Sequence, residues 1–226
     1  MILNKDICAL NERFLVMLST GRDSVIMTDI LCRYYDKSKL IFVYLWLYPK
    51  GVLNYRDEYI NSIEEKYSII INYEPHFELW MIKKQMPKIS FSEQRDFLMK
   101  KYNCSRVCYG WRKNESFQRN IILSHAPNGI PIDKKINSDF KEDEYKDPKS
   151  HIYPIGNFNK KMIDKYVIKE KIELSPEYKH DLRDINFFNG IYSKWLHDTY
   201  PNDFLKASKY DNNILKEYNR IVFNDK

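Results

Sequence analysis

Uninterrupted apolar runs separated by polar stretches dominate the first half of the chain. The first run covers residues 14–18, and the second covers residues 39–47 and carries no charge after Lys39. Runs without polar alternation are typical of strands that are buried on both faces of a parallel sheet. The β-branched run 68–73 predicts a third strand, and residues 106–109 predict a short fourth one.

Apolar residues at helical spacing lie between these runs. They predict helices after the first strand, over residues 54–66, over residues 92–101 with Ser92 as the cap, and over residues 157–170. Strands that alternate with helices form right-handed βαβ units. The pattern therefore predicts an α/β fold, a Rossmann-like doubly wound domain with a mostly parallel sheet.

The same pattern predicts how the chain is divided. Residues 1–180 hold the predicted strands and form the α/β domain, whereas residues 181–226 carry apolar positions at helical spacing only. We expect this second part to be a helical C-terminal extension packed on the domain. The polar stretch 132–150 is expected to be either a loop over the edge of the sheet or a solvated linker.

Composition limits the class of protein. The chain of 226 residues is 43% hydrophobic and 15% aromatic, which predicts a folded globule. Its net charge of +6 is spread along the sequence, so it suits anionic ligands without demanding nucleic acid. The longest apolar run, residues 40–48, is too short to span a bilayer, and no signal peptide is recognised. We expect a cytoplasmic protein without a membrane partner; its Lys, Asn, Ile and Tyr usage is typical of an AT-rich genome such as that of a phage.

A short hydroxyl-rich turn joins the first strand to the first long helix. A strand that feeds a tight turn into a helix leaves the first helical N–H groups unpaired and directs the positive end of the helix dipole at the turn, which favours phosphate. The alternative is an ordinary capped helix start. The six residues are Ser19, Thr20, Gly21, Arg22, Asp23 and Ser24.

This hexapeptide resembles the PP-loop of the adenine nucleotide alpha-hydrolases, usually written SGGxDS. The resemblance implies that Gly21 lets the backbone approach phosphate, that the flanking serines add hydroxyl donors and that Arg22 adds charge. Asp23 would either cap the helix or face a bound magnesium ion. Thr20 departs from the pattern, because the motif usually has its first glycine there.

A second motif follows the predicted fourth strand. In a parallel sheet it lies at the same edge as the hexapeptide, and it resembles the G-x-R…E-S…R segment of the phosphoadenosine phosphosulfate reductase family. The resemblance implies that its arginines meet the sulfate or phosphate end of a nucleotide, an apt role for a planar cation. The alternative is a surface helix in which residues 115 and 119 form an ion pair. The matching residues are Gly110, Arg112, Glu115, Ser116 and Arg119.

A looser third match lies further along the chain. Residues 151–155 and 174–178 resemble the same family's "YPI…P.Y" segment, although Asn157 and Phe158 replace its usual Asp-Trp pair. We assign this segment a packing role and no chemistry. The resemblance covers residues 12–180.

The four cysteines and five histidines make no metal-ligand pattern, which indicates free thiols in a reducing compartment. Members of the resembled family attack the sulfonate with a cysteine on a C-terminal tail, and some relatives hold an iron–sulfur cluster. No cysteine follows Cys108. We therefore expect neither a thiolate from the tail nor an iron–sulfur cluster, and we expect Cys104 and Cys108 to be buried structural thiols.

These observations favour a protein that binds an adenine nucleotide, either ATP, adenosine phosphosulfate or phosphoadenosine phosphosulfate. The predicted chemistry is cleavage of ATP at the α-phosphate, with adenylyl transfer, pyrophosphate release and Mg²⁺ as cofactor. Asp23, Arg22 and Arg119 are the predicted catalytic residues. One alternative is a catalytically inactive nucleotide-binding or structural component of a phage or defence assembly. Another is a subunit whose thiol or nucleic-acid module lies on a partner protein; a homo-oligomer also fits the sequence.

Overall fold

A computed structural model of the chain describes residues 3–81, 87–131, 150–179 and 190–224. Within these ranges five strands form one sheet in the order β3-β2-β1-β4-β5, and all neighbours are parallel. The order reverses between β1 and β4, so the sheet is doubly wound. This confirms the predicted Rossmann-like α/β fold. The strands are β1 Phe14–Leu18, β2 Leu40–Trp46, β3 Ile71–Pro75, β4 Arg106–Cys108 and β5 His151–Ile152.

Helices cover both faces of the sheet, which explains why the strands read as continuous apolar runs. Phe14, Val16 and Leu18 of β1 pack in the core under α2, α3 and α6, whereas Leu15 packs in a second core under α4 and α5. The α-helices in the described ranges are α1 Lys5–Ala9, α2 Arg22–Tyr34, α3 Asn54–Tyr67, α4 Phe91–Lys101, α5 Phe117–Ser124, α6 Lys160–Lys169, α7 Pro176–Lys179, α8 Gly190–Thr199, α9 Pro201–Tyr210 and α10 Asn212–Asn224.

The last three helices form a separate apolar cluster. Leu196, Phe204 and Ile214 pack there against Leu47 and Leu53, which follow β2. The predicted helical C-terminal part is therefore present and rests on the loop after β2, while the division of the chain at residue 180 remains a prediction. None of the described helices is long and apolar enough to cross a membrane.

Two elements start at residues other than those predicted, because of the helix caps next to them. Strand β3 begins at Ile71 because Ser68 has a left-handed backbone (φ 52°) and ends α3, its N–H bonding to the carbonyls of Glu64 and Glu65. Helix α4 begins at Phe91 because Ser90, and not Ser92, caps it in a reciprocal pair with Glu93. The predicted loop 132–150 lies outside the described residues except for Ser150.

Candidate functional site

The two sequence motifs meet at one edge of the sheet. Strands β1 and β4 are neighbours, with Val16 opposite Cys108, so the loop 19–24 and the segment 110–119 leave the sheet side by side. The strand order reverses between these two strands, the place where doubly wound sheets bind ligands. Both segments line a cleft with a volume of about 990 Å³. That volume lies at the upper end of the range for small-molecule sites.

The loop 19–24 is held closed by its own hydroxyl groups. Ser24 Oγ donates to the carbonyl of Gly21 at 2.8 Å and accepts from the backbone N–H of Ser19 at 3.2 Å. The hydroxyl of Ser19 lies 3.1 Å from the same oxygen. Gly21 is the N-cap of α2, and no side chain caps the helix. The positive end of the helix dipole is therefore directed into the loop without a protein anion on the cap position.

Thr20 keeps the loop conformation although it is not glycine. Its backbone φ is +59°, in the left-handed region, and its side chain is buried. A β-branched residue adopts this region only under strain of about 1–3 kcal/mol. The residue that departs from the motif thus occupies the backbone conformation that glycine adopts without strain.

Gly110 allows the two motifs to touch. A Cβ atom at this position would lie 2.9 Å from the backbone nitrogen of Ser24 and 3.0 Å from the carbonyl carbon of Asp23. Those atoms belong to the first turn of α2 and cannot move independently. Only glycine therefore lets the turn after β4 pack directly on the amino end of the helix.

Asp23 and Arg112 form an ion pair across this contact. The Nε and Nη2 atoms of Arg112 lie 2.8 Å and 2.7 Å from Asp23 Oδ2. The Glu115 carboxylate accepts the backbone N–H of Arg112 at 2.8 Å, so the arginine is fixed at both ends. The Asp23 carboxylate consequently holds the two motifs together.

Arg119 has two contacts and still lines the cleft. Its Nη1 lies 2.6 Å from Glu115 Oε2, which is the ion pair considered as an alternative from the sequence. Its guanidinium also lies 5.1 Å from the centroid of the Trp111 ring. Ser116 caps α5 by accepting the N–H of Arg119 at 3.1 Å. The side chain is 35% exposed, so it is accessible to a ligand.

Arg22 is directed toward the later part of the chain. Its Nη1 donates to Asp164 of α6 at 2.8 Å, and its guanidinium lies over the ring of Tyr178 at 5.3 Å. The side chain is only 11% exposed. In this arrangement Arg22 ties the loop to α6 and α7, and its catalytic role remains a prediction.

A polar cluster that was not predicted from the sequence also lines the cleft. Arg56 is buried, and its Nη2 donates to the carboxylate of Glu177 and, at 3.0 Å, to the hydroxyl of Tyr55. That hydroxyl also lies 2.8 Å from the hydroxyl of Tyr192. The partners come from α3, α7 and α8, far apart in sequence, so no local motif could reveal them.

The thiols lie away from the cleft lining. Burial raises the pKa of Cys32 to about 12 and also raises the pKa of Cys104 and of Cys108, which is completely buried. Cys8 is exposed but bonds the carbonyl of Tyr34 at the far end of α2, about 18 Å along the helix from the loop. None of these thiols is placed to attack a ligand in the cleft.

Comparison with solved structures finds similar folds. One is the U34-tRNA thiolase NcsA from Methanococcus maripaludis with its [4Fe-4S] cluster, at 17% identity and a TM-score of 0.48, with 93% of this chain and 72% of that one covered. Another is the NH3-dependent NAD synthetase from Campylobacter jejuni subsp. jejuni NCTC 11168 in complex with the nitrate ion, at 12% identity and a TM-score of 0.47, with 96% and 90% covered. A sequence comparison with curated proteins finds no match.

The prediction of Mg²⁺ as cofactor, with no iron–sulfur cluster, is wrong. The finding against it is that the similar thiolase is described with a [4Fe-4S] cluster. Asp23, the predicted magnesium ligand, is engaged by Arg112 through Oδ2. Among residues 3–81, 87–131, 150–179 and 190–224, no three His, Cys, Asp or Glu side chains are grouped to hold a metal ion.

The family assignment is confirmed by a match that covers most of the chain. Residues 13–189 match the family model described as "Phosphoadenosine phosphosulfate reductase domain". The matched range includes the loop 19–24, the segment 110–119 and the segment 151–155 on which the resemblance was based. The chain therefore belongs to the phosphoadenosine phosphosulfate reductase domain family.

Proposed function

We propose that the protein binds an adenine nucleotide in the cleft and cleaves ATP at the α-phosphate. The phosphates would rest on the loop 19–24, and the distal anionic group would meet the arginines of the segment 110–119. A nucleophile on an acceptor would attack the α-phosphorus, and the bond from that phosphorus to the bridging oxygen would break. The products would be an adenylylated acceptor and pyrophosphate.

The observation that carries this proposal is the contact at Gly110. It brings the amino end of α2, with its unpaired N–H groups, against the segment that holds Arg119, inside one cleft. A helix amino end and an arginine together form a site for a multiply charged anion. The family description, which names a sulfated adenine nucleotide, supports an adenine nucleotide as the ligand.

The chemistry would depend on positioning and charge. In phosphoryl and adenylyl transfer the protein mainly aligns the nucleophile and stabilises the negative charge that develops on the phosphate oxygens. The dipole of α2 and the Arg119 guanidinium would supply that stabilisation. Arg112 would act through Asp23, because their ion pair fixes the relative position of the two phosphate-binding segments.

Thiol-dependent reduction has less support. Attack on a sulfonate needs a thiolate, and burial raises the pKa of Cys32, Cys104 and Cys108. Cys8 is exposed but lies at the opposite end of α2. Reduction would therefore need a thiol from another molecule.

A second candidate is a nucleotide-binding protein without catalysis. Two observations favour it: Thr20 stands where the motif usually has glycine, and the Asp23 carboxylate is paired with Arg112. The two candidates differ in the fate of the nucleotide and agree on its binding site.

The test is to follow ATP labelled at the α- and γ-phosphates during incubation with the purified protein. With water in place of the acceptor, we expect pyrophosphate that carries the γ-label and AMP that carries the α-label. Release of orthophosphate alone would contradict cleavage at the α-phosphate. Intact ATP that stays bound would favour the non-catalytic candidate, and turnover of phosphoadenosine phosphosulfate with an added thiol would favour reduction.

A further inference from the structure

A continuous row of aromatic rings forms one side of the cleft. It runs from Trp111 through Tyr109, Phe91 and Phe77 to His76, all of which line the cleft. Neighbouring ring centroids lie 4.9, 5.8, 5.5 and 4.4 Å apart in that order. These distances are typical of stacked and edge-to-face aromatic pairs. We refer to these five residues as the aromatic wall.

The aromatic wall is held in place by the framework of the sheet. Gln94 of α4 is buried and accepts the backbone N–H of Phe77 through its Oε1 at 3.0 Å. Its amide nitrogen donates to the carbonyl of Pro75, the last residue of β3. One side chain thus joins the segment after β3 to α4. The rings are therefore positioned before a ligand arrives, which lowers the entropic cost of binding.

Several rings of the wall remain partly accessible. Phe77, Phe91 and Trp111 are neither fully buried nor fully exposed, whereas Tyr109 between them is buried. Half-buried aromatic rings that line a concave site present flat apolar faces to a ligand. Phe77, Phe91 and Trp111 therefore keep part of their surface open, although His76 already stacks on Phe77.

The His76 ring at the end of the wall is uncharged. The imidazole Nδ1 lies 3.1 Å from the backbone N–H of Glu78 and accepts it, and burial lowers the pKa of His76 to about 4. The facing groups are the Glu78 carboxylate, 3.7 Å away, and the stacked ring of Phe77. Charge appears at the opposite end, where Arg119 lies over Trp111. The two ends therefore suit different groups, an anion beside Arg119 and a neutral ring beside Phe77.

The wall is also longer than one nucleotide base requires. It reaches from the end of β4 to the end of β3, which are separated by β1 and β2 in the sheet, a span of about 14 Å at the usual spacing of strands. A single base covers one or two ring faces. Adenine of the nucleotide leaves the remaining faces open.

From this geometry we propose that the faces of Phe77 and Phe91 stack the nucleobase of the acceptor substrate. The inference rests on the proposed function, because the acceptor must lie beside the nucleotide held at the loop 19–24. Stacking on aromatic side chains is how proteins bind bases that are not paired in a duplex. The recognised chemistry is the planar base, which either a free nucleoside or a single-stranded polynucleotide supplies.

The test is a binding measurement with the ATP site filled. The protein is saturated with a non-hydrolysable ATP analogue and titrated with cytidine, with guanosine and with a labelled mixed-sequence single-stranded oligonucleotide. The variants are Phe77→Leu and Phe91→Leu, and the control is Phe97→Leu. Phe97 lies on the same helix as Phe91 and is 62% exposed, but it is not part of the cleft lining. Thermal unfolding verifies that each variant is folded.

We expect Phe77→Leu and Phe91→Leu to weaken base binding about tenfold, from the usual contribution of one stacked base, with Phe97→Leu unchanged. Tighter binding of the oligonucleotide, with strong salt dependence, would identify a polynucleotide as the source of the base. Equal binding of nucleoside and oligonucleotide would identify a free base. No binding of any probe by the wild type, or equal losses in all three variants, would overturn the proposal.

A parallel titration with ATP distinguishes failure of the base-stacking proposal from failure of the proposed function. If Phe77→Leu weakens ATP more than it weakens the acceptor probes, the wall holds adenine and the inference is wrong. If the wild type fails to bind ATP, the proposed function is wrong. The probes can then still be titrated without the analogue, so the wall is tested independently.

Discussion

At the scale of single residues, the site depends on two backbone positions. Gly110 has no Cβ and so lets the segment after β4 touch the first turn of α2. Thr20 holds a left-handed conformation that its branched side chain disfavours. The first residue removes a steric obstacle, and the second retains strain inside the loop 19–24. Strain of this kind is typical of functional sites.

Gly110→Ala is predicted to destabilise the protein by about 1–3 kcal/mol, as overpacking of a fixed backbone contact does. The matched control is Gly21→Ala in the facing loop. Its added methyl group would meet only Ser19 Oγ, at 3.4 Å, and its φ of −67° suits any residue. Urea unfolding of both variants measures the difference. Equal free energies of unfolding for the two variants would contradict the packing role of Gly110.

The sequence predicted that the two motifs lie side by side, but it did not predict the ion pairs that their side chains form. The loop 19–24 and the segment 110–119 were found because parallel strands end at one edge. The engagement of Arg22 by Asp164 could not be found, since these residues lie 142 positions apart. The pair of Asp23 with Arg112 was missed for the same reason, because residues 23 and 112 also lie far apart in the sequence.

At the scale of elements, a buried polar chain joins α4 to the edge strand β5. Arg95 of α4 lies with its Nη1 2.9 Å from Nε2 of His151, and the other ring nitrogen lies 3.1 Å from the hydroxyl of Tyr153. Burial, and then the positive charge of Arg95, lowers the pKa of His151 to about 3. The imidazole is therefore neutral in the folded protein, and Nε2 accepts from the guanidinium.

The contact between α4 and β5 makes the stability of the protein depend on pH. Because the folded pKa of His151 is about 3 and the unfolded value is about 6.5, the unfolded state binds the proton first. The contribution of neutral His151 to the free energy of unfolding is complete above pH 6.5 and is lost as the pH falls toward 3. His151→Gln keeps an acceptor for Arg95 and cannot titrate. Between pH 6 and pH 4 the free energy of unfolding of this variant should fall less steeply than that of the wild type. The two slopes should differ by about 1.4 kcal/mol per pH unit.

Urea unfolding at several pH values measures these slopes, so an overall loss of stability in the variant does not obscure the result. Burial also lowers the pKa of His76, to about 4, so the variant should keep part of the slope. An unchanged slope in His151→Gln would show that the contact between α4 and β5 does not couple stability to protonation.

Element types were predicted better than their ends. The apolar runs predicted β1 and β2 to within one residue, because continuous burial leaves a strong pattern. Strand β5 was not predicted, since two residues are too few to show a period. The other two errors arose at helix caps. Ser68, in a left-handed conformation, ends α3 later than predicted, so β3 starts later, and Ser90 is the N-cap of α4.

At the scale of the whole molecule, the cleft lies between dissimilar sides. The aromatic wall follows β3 and β4 on one side, and the polar cluster of Arg56, Glu177 and Tyr192 lies on the other. Tyr192 belongs to α8, so the C-terminal helices complete the cleft as well as packing on the loop after β2. Between the sides, the loop 19–24 lies against the segment 110–119. For the proposed nucleotide, this arrangement predicts one orientation, with its anionic end toward Arg119.

In the proposed function, this cleft holds the phosphates of an adenine nucleotide beside Arg119. The most direct measurement is calorimetric titration of ATP into the wild type, Arg119→Ala and Arg220→Ala. Arg220 is the matched control, because it forms a comparable surface pair with Glu217 at 2.8 Å on α10, away from the cleft lining. We predict that Arg119→Ala weakens binding by about 1.5–3 kcal/mol, as loss of a charge-assisted contact does, and that Arg220→Ala binds as the wild type does. Equal affinities for all three proteins, or no binding of ATP by the wild type, would contradict this placement of the phosphates.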